Sequence, residues 1–97
     1  MIEIRLLDEV GSFAENKDKA RAIRLTQILP ALERGESITL DFSGIDSATQ
    51  SFTHALLSDV IRQHGVEVID KIQFKSCSKT VQKIIEIVFE YMQESLD

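Results

Sequence analysis

Apolar and polar residues alternate in three short stretches of this chain. Ile2, Ile4 and Leu6 alternate with Glu3 and Arg5; Ile38, Leu40 and Phe42 with Thr39 and Asp41; Ile72 and Phe74 with Gln73 and Lys75. A period of two predicts three strands, each with one buried and one polar face. Between and after them the period lengthens to that of a helix. Ala20, Ile23, Ile28, Leu29 and Leu32 form one stripe, with Leu25 at its margin. Phe52, Ala55, Leu56, Val60 and Ile61 form a second, and Val81, Ile84, Ile85, Val88, Phe89 and Met92 a third, the cleanest of the three. Asn16 and Ser78 are candidate N-caps for the first and last helices. Gly35 and Gly65 stop the first and second. Pro30 falls inside the first stripe, where its missing N–H and its ring predict a kink or a restarted short helix. Asp8 to Asn16, with Gly11, reads as a loop or a short hairpin arm.

The resulting order is βαβαβα in a single domain over residues 1–97, an α/β chain with a mainly parallel three-stranded sheet. Parallel strands covered on both sides read as unbroken apolar runs. These strands alternate, so helices are expected on one face only. Right-handed crossovers keep successive helices on one face when the strands step in one direction, which gives strand order 1-2-3 with the second strand central. The uncovered face then carries Glu3, Arg5, Thr39, Asp41, Gln73 and Lys75, with Arg5 placed to pair with Asp41.

Charge narrows the function classes. The net charge of −5 over 97 residues argues against nucleic acid as a partner, because phosphate contacts need a basic surface. The one basic cluster, Lys17, Lys19, Arg21 and Arg24, reads as a solvated helix face offset by Glu15 and Asp18. No apolar run is long enough for a membrane span. The chain enters a strand at once, without a signal-peptide pattern, and its single cysteine fits a reducing compartment. A cytoplasmic location is therefore expected.

The candidate chemistry gathers after the second strand. Ser43 to Gln50 is a hydroxyl-rich turn that opens into a helix, at the place where parallel sheets receive ligands and partners. Asp41, at the strand end, is expected to hold this turn by accepting backbone hydrogen bonds. The nearest second carboxylate is Asp46, too little for a cation site, so neither metal nor cofactor is expected. Thr49 is the better cap for the helix, and Ser51 is either a first-turn residue or a phosphoacceptor. Gln50 and Phe52 are candidates for partner contact, although Phe52 also begins the buried stripe. On the last helix, Ile87, Tyr91 and Leu96 lie off the main stripe, either as a wide core face or as an apolar flank for a partner or a second copy.

Enzymatic signs are sparse. Cys77 stands at a strand-to-helix junction, where a helix start can activate a thiol, and Cys77 and Lys83 are spaced like the cysteine and arginine of phosphatase loops. Lysine cannot make arginine's planar fork to phosphate, and the loop lacks glycine. An inert thiol is expected. His54 and His64 are ten residues apart in sequence, not the three or four of a helical metal pair.

Ile38-Thr39-Leu40-Asp41-Phe42-Ser43-Gly44-Ile45, followed by Gln50-Ser51-Phe52, resembles the STAS-like family of small bacterial domains, relatives of the STAS domains of anti-sigma factor antagonists and sulfate transporters. Lys19-Ala20-Arg21 and the closing amphipathic helix fit as well. The resemblance implies a non-catalytic regulator that binds a protein partner, a serine kinase related to histidine-kinase ATPases. In the antagonists that kinase phosphorylates a serine where the helix after the central strand begins. A gap-free match to their aspartate-serine-serine-glycine motif places Thr49 at the aspartate, Gln50 at the modified serine, Ser51 at the second serine and Phe52 at the glycine. Glutamine cannot be phosphorylated, so the resemblance leaves Ser51 and Thr49 as the phosphoacceptor candidates, or partner binding alone. It also matches Ile2–Leu7 to the second strand of the antagonists' opening hairpin, which leaves an open edge. The partner surface it implies comprises Asp41, Ser43, Asp46, Thr49, Gln50, Ser51 and Phe52. The alternatives are a small cysteine-dependent enzyme using Cys77, and a homo-oligomeric structural domain, a homodimer at its simplest, pairing through the polar sheet face or the first-strand edge.

Overall fold

The computed structural model describes residues 2–96. The elements run β1 (Ile2–Arg5), α1 (Leu6–Val10), β2 (Phe13–Ala14), α2 (Lys17–Ile23), a π-helical turn (Arg24–Ile28), α3 (Leu29–Glu33), β3 (Ile38–Asp41), β4 (Ser47–Ala48), α4 (Gln50–His64), a 3-10 segment (Val66–Lys71), β5 (Ile72–Lys75) and α5 (Lys79–Leu96). Three strands form a parallel sheet in the order β1-β3-β5, with Ile4 beside Leu40 beside Phe74, and Arg5 beside Asp41 beside Lys75. This is the expected 1-2-3 arrangement with the second long strand central.

Ile4, Ile38, Leu40 and Ile72 turn one sheet face into the core. There they join Phe42, Phe52, Leu56, Val60, Val81, Val88 and Met92. Helix α4 is the central brace, since it packs against both α2 and α5. Phe52 is fully buried, which contributes on the order of 2–3 kcal/mol through loss of water contact.

Three expectations need correction. The segment from Asp8 to Asn16 is not a hairpin arm. Part of it completes α1, and Phe13–Ala14 pairs in parallel with Ser47–Ala48 as a separate two-stranded sheet. Two-residue strands carry no readable alternation, which is why the sequence pattern misses them.

Around Pro30 the helix restarts as the short α3, as expected. The turn before it widens, and the Leu29 N–H donates to the Arg24 carbonyl five residues back. A π turn takes up one extra residue and lets Pro30 enter the first turn of α3, where its missing N–H matters less. The five-residue gap between Ile23 and Ile28 in the apolar stripe is the trace of that insertion; both residues are buried.

Arg24 is not on a solvated face. It is buried, its guanidinium donating to the Ala55 carbonyl at 2.5 Å and pairing with Asp59 Oδ2 at 3.2 Å. The π turn swings it onto α4.

The polar sheet face is occupied by exposed Glu3, Arg5, Gln73 and Lys75, as expected, but Thr39 and Asp41 are buried. Both lie on the central strand, with a strand on either side. Lys75 Nζ reaches Glu3 Oε1 at 3.5 Å, and the register puts the central strand between them. Arg5 and Asp41 are register neighbours, yet the ion pair spanning this face is Lys75–Glu3.

Candidate functional site

The turn after β3 is built from local hydrogen bonds. Asp41 Oδ1 accepts from the Ser43 backbone N–H at 2.9 Å and from Ser43 Oγ at 2.6 Å, a short side-chain-to-backbone loop that Asp readily forms. These two bonds are the main reason that the Asp41 carboxyl lies below its ordinary value of 3.8, with Lys75 and Arg5 helping. Gly44 follows with φ +80, and a Cβ there would stand 2.7 Å from Leu7 Cδ2. Backbone conformation and a close neighbour therefore both favour glycine.

Beyond it, Ile45 plugs the core, and the Asp46 N–H donates to the Ser12 carbonyl at 2.9 Å. The chain then runs through β4 into α4. Thr49 adopts an extended conformation, and its Oγ1 accepts from the Phe52 N–H at 3.1 Å. It is the N-cap expected from the sequence.

The seven candidate residues divide three ways. Gln50 and Ser51 are exposed on the first turn of α4. Asp41, Ser43 and Thr49 shape the turn through the bonds just described, while Asp46 is exposed on the far side of Gly44 in the chain. Phe52 is sealed in the core, with no exposed surface, so it leaves the candidate docking surface. Its aromatic ring fills the stripe that holds α4 against the sheet, and a partner cannot reach it.

Gln50 and Ser51 border a groove of about 420 Å³. Ala55, Val88, Ile87 and Tyr91, with Lys17 and His54, complete its lining. His54 and Tyr91 meet edge to face, with ring centroids 5.8 Å apart. Tyr91 is 59% exposed and Ile87 36%, although both are large and partly apolar. Ile87 and Tyr91 are two of the residues that the helical pattern sets aside as an off-stripe flank; the third, Leu96, lies outside the described side chains. Lys17 and His54 are additions that sequence reasoning missed. Neither stands in a motif, and only the packing of α4 against α5 and α2 brings them to the groove. The first turn of α4 contains no acidic residue, so the positive end of its dipole is uncompensated there.

Cys77 lies elsewhere. It lines a second cavity with Phe74, Ser76 and Gln82. Burial, and then the negative charge of Asp41, push its thiol above the ordinary value of 9.0. That is the reverse of what a thiolate nucleophile needs. His54 and His64 are both half-buried. Among the described residues, no group of three or more His, Cys, Asp or Glu side chains is placed to hold a metal ion, and no helix is long and apolar enough to cross a membrane.

The family model of the STAS-like domain of unknown function matches residues 19–82, about two thirds of the chain. The chain belongs to this family. The matched span runs from α2 through β3, its hydroxyl-rich turn, α4 and β5 to the start of α5. The α4 side of the groove thus lies within the STAS-like match, and Ile87 and Tyr91 lie beyond it. No match was found among curated proteins, nor among solved structures.

Proposed function

We propose that this STAS-like domain is a non-catalytic regulatory module that docks a protein partner in the groove between the first turns of α4 and the outer flank of α5. One observation carries this reading: exposed Gln50 and Ser51 share a single concave surface with exposed Ile87 and Tyr91. A polar helix start beside an exposed aromatic and an aliphatic anchor is a composition suited to protein contact, where tyrosine is enriched at binding hot spots. Burial that raises the Cys77 thiol weighs against a cysteine enzyme. The kinship with anti-sigma factor antagonists directs the search for the partner to ATPases of the histidine-kinase type.

Between the two phosphoacceptor candidates, Ser51 is favoured. The Thr49 hydroxyl is engaged in capping α4, so modifying it would cost a cap. Ser51 is exposed, at the second helical position and on the groove with Lys17. A phosphate there would add about −1.5 to −2 charges to the docking surface. The test is co-purification with the products of the neighbouring genes, followed by titration of wild type, Tyr91→Ala and Ser51→Asp. Tyr91→Ala should weaken binding by roughly tenfold or more, and Ser51→Asp should change affinity while the fold persists. Equal affinity of all three proteins, or no partner retained by any, overturns the reading.

A further inference from the structure

We infer that β1 pairs with β1 of a second copy of this chain, in antiparallel fashion about a two-fold axis through Ile4, joining two three-stranded sheets into one of six strands. The sheet order leaves β1 at an edge, with no described strand on its outer side. The Ile2 N–H donates to the Ser37 carbonyl at 3.0 Å, so Ile2 and, by strand alternation, Ile4 turn their backbone groups toward β3. Glu3 then turns its N–H and C=O outward, and Arg5 its N–H, the Arg5 carbonyl entering α1.

An edge strand with free backbone groups invites pairing, and charged side chains normally deter it. Here the charges have opposite sign and stand two residues apart. A two-fold antiparallel copy centred on Ile4 sets Glu3 opposite the second copy's Arg5, and Arg5 opposite its Glu3. In each pair the Arg5 N–H of one copy faces the Glu3 carbonyl of the other, whereas the Arg5 carbonyl is taken by α1, of which Arg5 is the N-cap. Ile4 meets its own copy on the core face, and the polar faces of the two sheets stay continuous.

Other two-fold registers fail on charge, on pattern or on overlap, since centring on Ile2 leaves Glu3, Ile4 and Arg5 with no residue of β1 opposite. Centring on Glu3 sets glutamate against glutamate, and centring on Arg5 sets arginine against arginine. An axis between two residues puts the apolar face of one sheet beside the polar face of the other. The opposite edge offers no equivalent, because β5 has Lys75 as its one charged residue. The partner this edge fits is therefore a second copy of the chain. None of the groove residues lies on β1, so the inference stands apart from the docking function proposed above.

Three residues per strand, Glu3, Ile4 and Arg5, face one another in this register, since β1 ends at Arg5, so the contact is small and the dimer should be weak and concentration-dependent. Sedimentation equilibrium of the full chain, from about 20 µM to about 1 mM, spans the range in which such a contact dissociates. Wild type should move from monomer to dimer across it. Glu3→Arg turns both cross-copy pairs repulsive and should raise the dimer Kd by about tenfold or more. The charge swap Glu3→Arg with Arg5→Glu should restore it. Lys75→Gln removes the Lys75–Glu3 pair without altering the edge and should dimerise as wild type does. Circular dichroism verifies that each variant is folded. Wild type that stays monomeric, Glu3→Arg that dimerises unchanged, a swap that fails to recover, or a monomeric Lys75→Gln would each overturn the inference.

Discussion

Arg24 and Asp59 form an ion pair whose two halves have unequal surroundings, and that inequality predicts an unequal cost of mutation. The Arg24 side chain is 9% exposed and that of Asp59 35%. If Asp59 is replaced by alanine, the guanidinium remains buried with one carbonyl partner, Ala55, and its Nε already lacks an acceptor. Stranding a buried charge costs about 3–5 kcal/mol in the fully buried limit. The surviving Ala55 bond and the partly wet edge of this pair lower the expectation to about 1–3 kcal/mol. If instead Arg24 becomes methionine, a chain of comparable reach fills the site and no buried charge is left. Asp59 retains water and its neighbour Arg62 at 3.5 Å. The expected cost is about 0–1 kcal/mol, because lost attraction is offset by relief of desolvation.

Urea unfolding of wild type, Arg24→Met, Asp59→Ala and the double variant measures all four corners of the cycle. Adding Asp59→Ala to Arg24→Met should then cost only a few tenths of a kcal/mol, because the charge it would have stranded is gone. If Arg24→Met is the more damaging single change, the ion pair is a net stabiliser and the reasoning from unequal burial is wrong.

Other expectations can be checked with the same protein. Ser51→Asp puts a negative charge on the first turn of α4, which has none, and should add about 0.3–1 kcal/mol, visible as a Tm rise of about 1–8 °C for a domain of this size; a lower Tm would contradict the helix-dipole account. The lowered Asp41 carboxyl contributes stability that is present above its ordinary value of 3.8 and is lost as pH falls through the lower folded value. Denaturant unfolding from pH 6 down to the acid limit should therefore show a shallower acid decline for Asp41→Asn than for wild type, and parallel curves would refute the assignment. Cys77 should react with iodoacetamide more slowly at neutral pH than a free cysteine, and its rate should still be rising above pH 9, because its thiol lies above 9.0. Fast labelling at pH 7 would return the cysteine to consideration as a nucleophile.

The alternating apolar positions of Ile2–Leu6, Ile38–Phe42 and Ile72–Lys75 determined the three strands, their parallel order and the one-sided helix cover. Each of these follows from a period or a handedness that a linear pattern carries. Local chemistry was legible too: Asn16 and Thr49 as caps, Asp41 as the residue that holds the turn, and Ser78 accepting from the Val81 N–H at 3.1 Å. These bonds close within two or three residues, so the sequence contains both partners.

What it could not contain is any fact that depends on two distant elements meeting. The β2–β4 pair joins residues 13 and 47, and its strands are too short to show a period. Arg24 reads as one more surface cation until the widened turn before Pro30 rotates it onto Ala55 and Asp59. Thr39 and Asp41 belong to a polar face by pattern, yet both are buried on the central strand, between the two edge strands. The groove has the same origin. Gln50 and Ser51 were visible as a helix start, and Ile87 and Tyr91 as an off-stripe flank. Only the docking of α5 beside α4, driven by burial of Val81, Val88 and Met92, puts them on one surface and brings Lys17 and His54 to its lining.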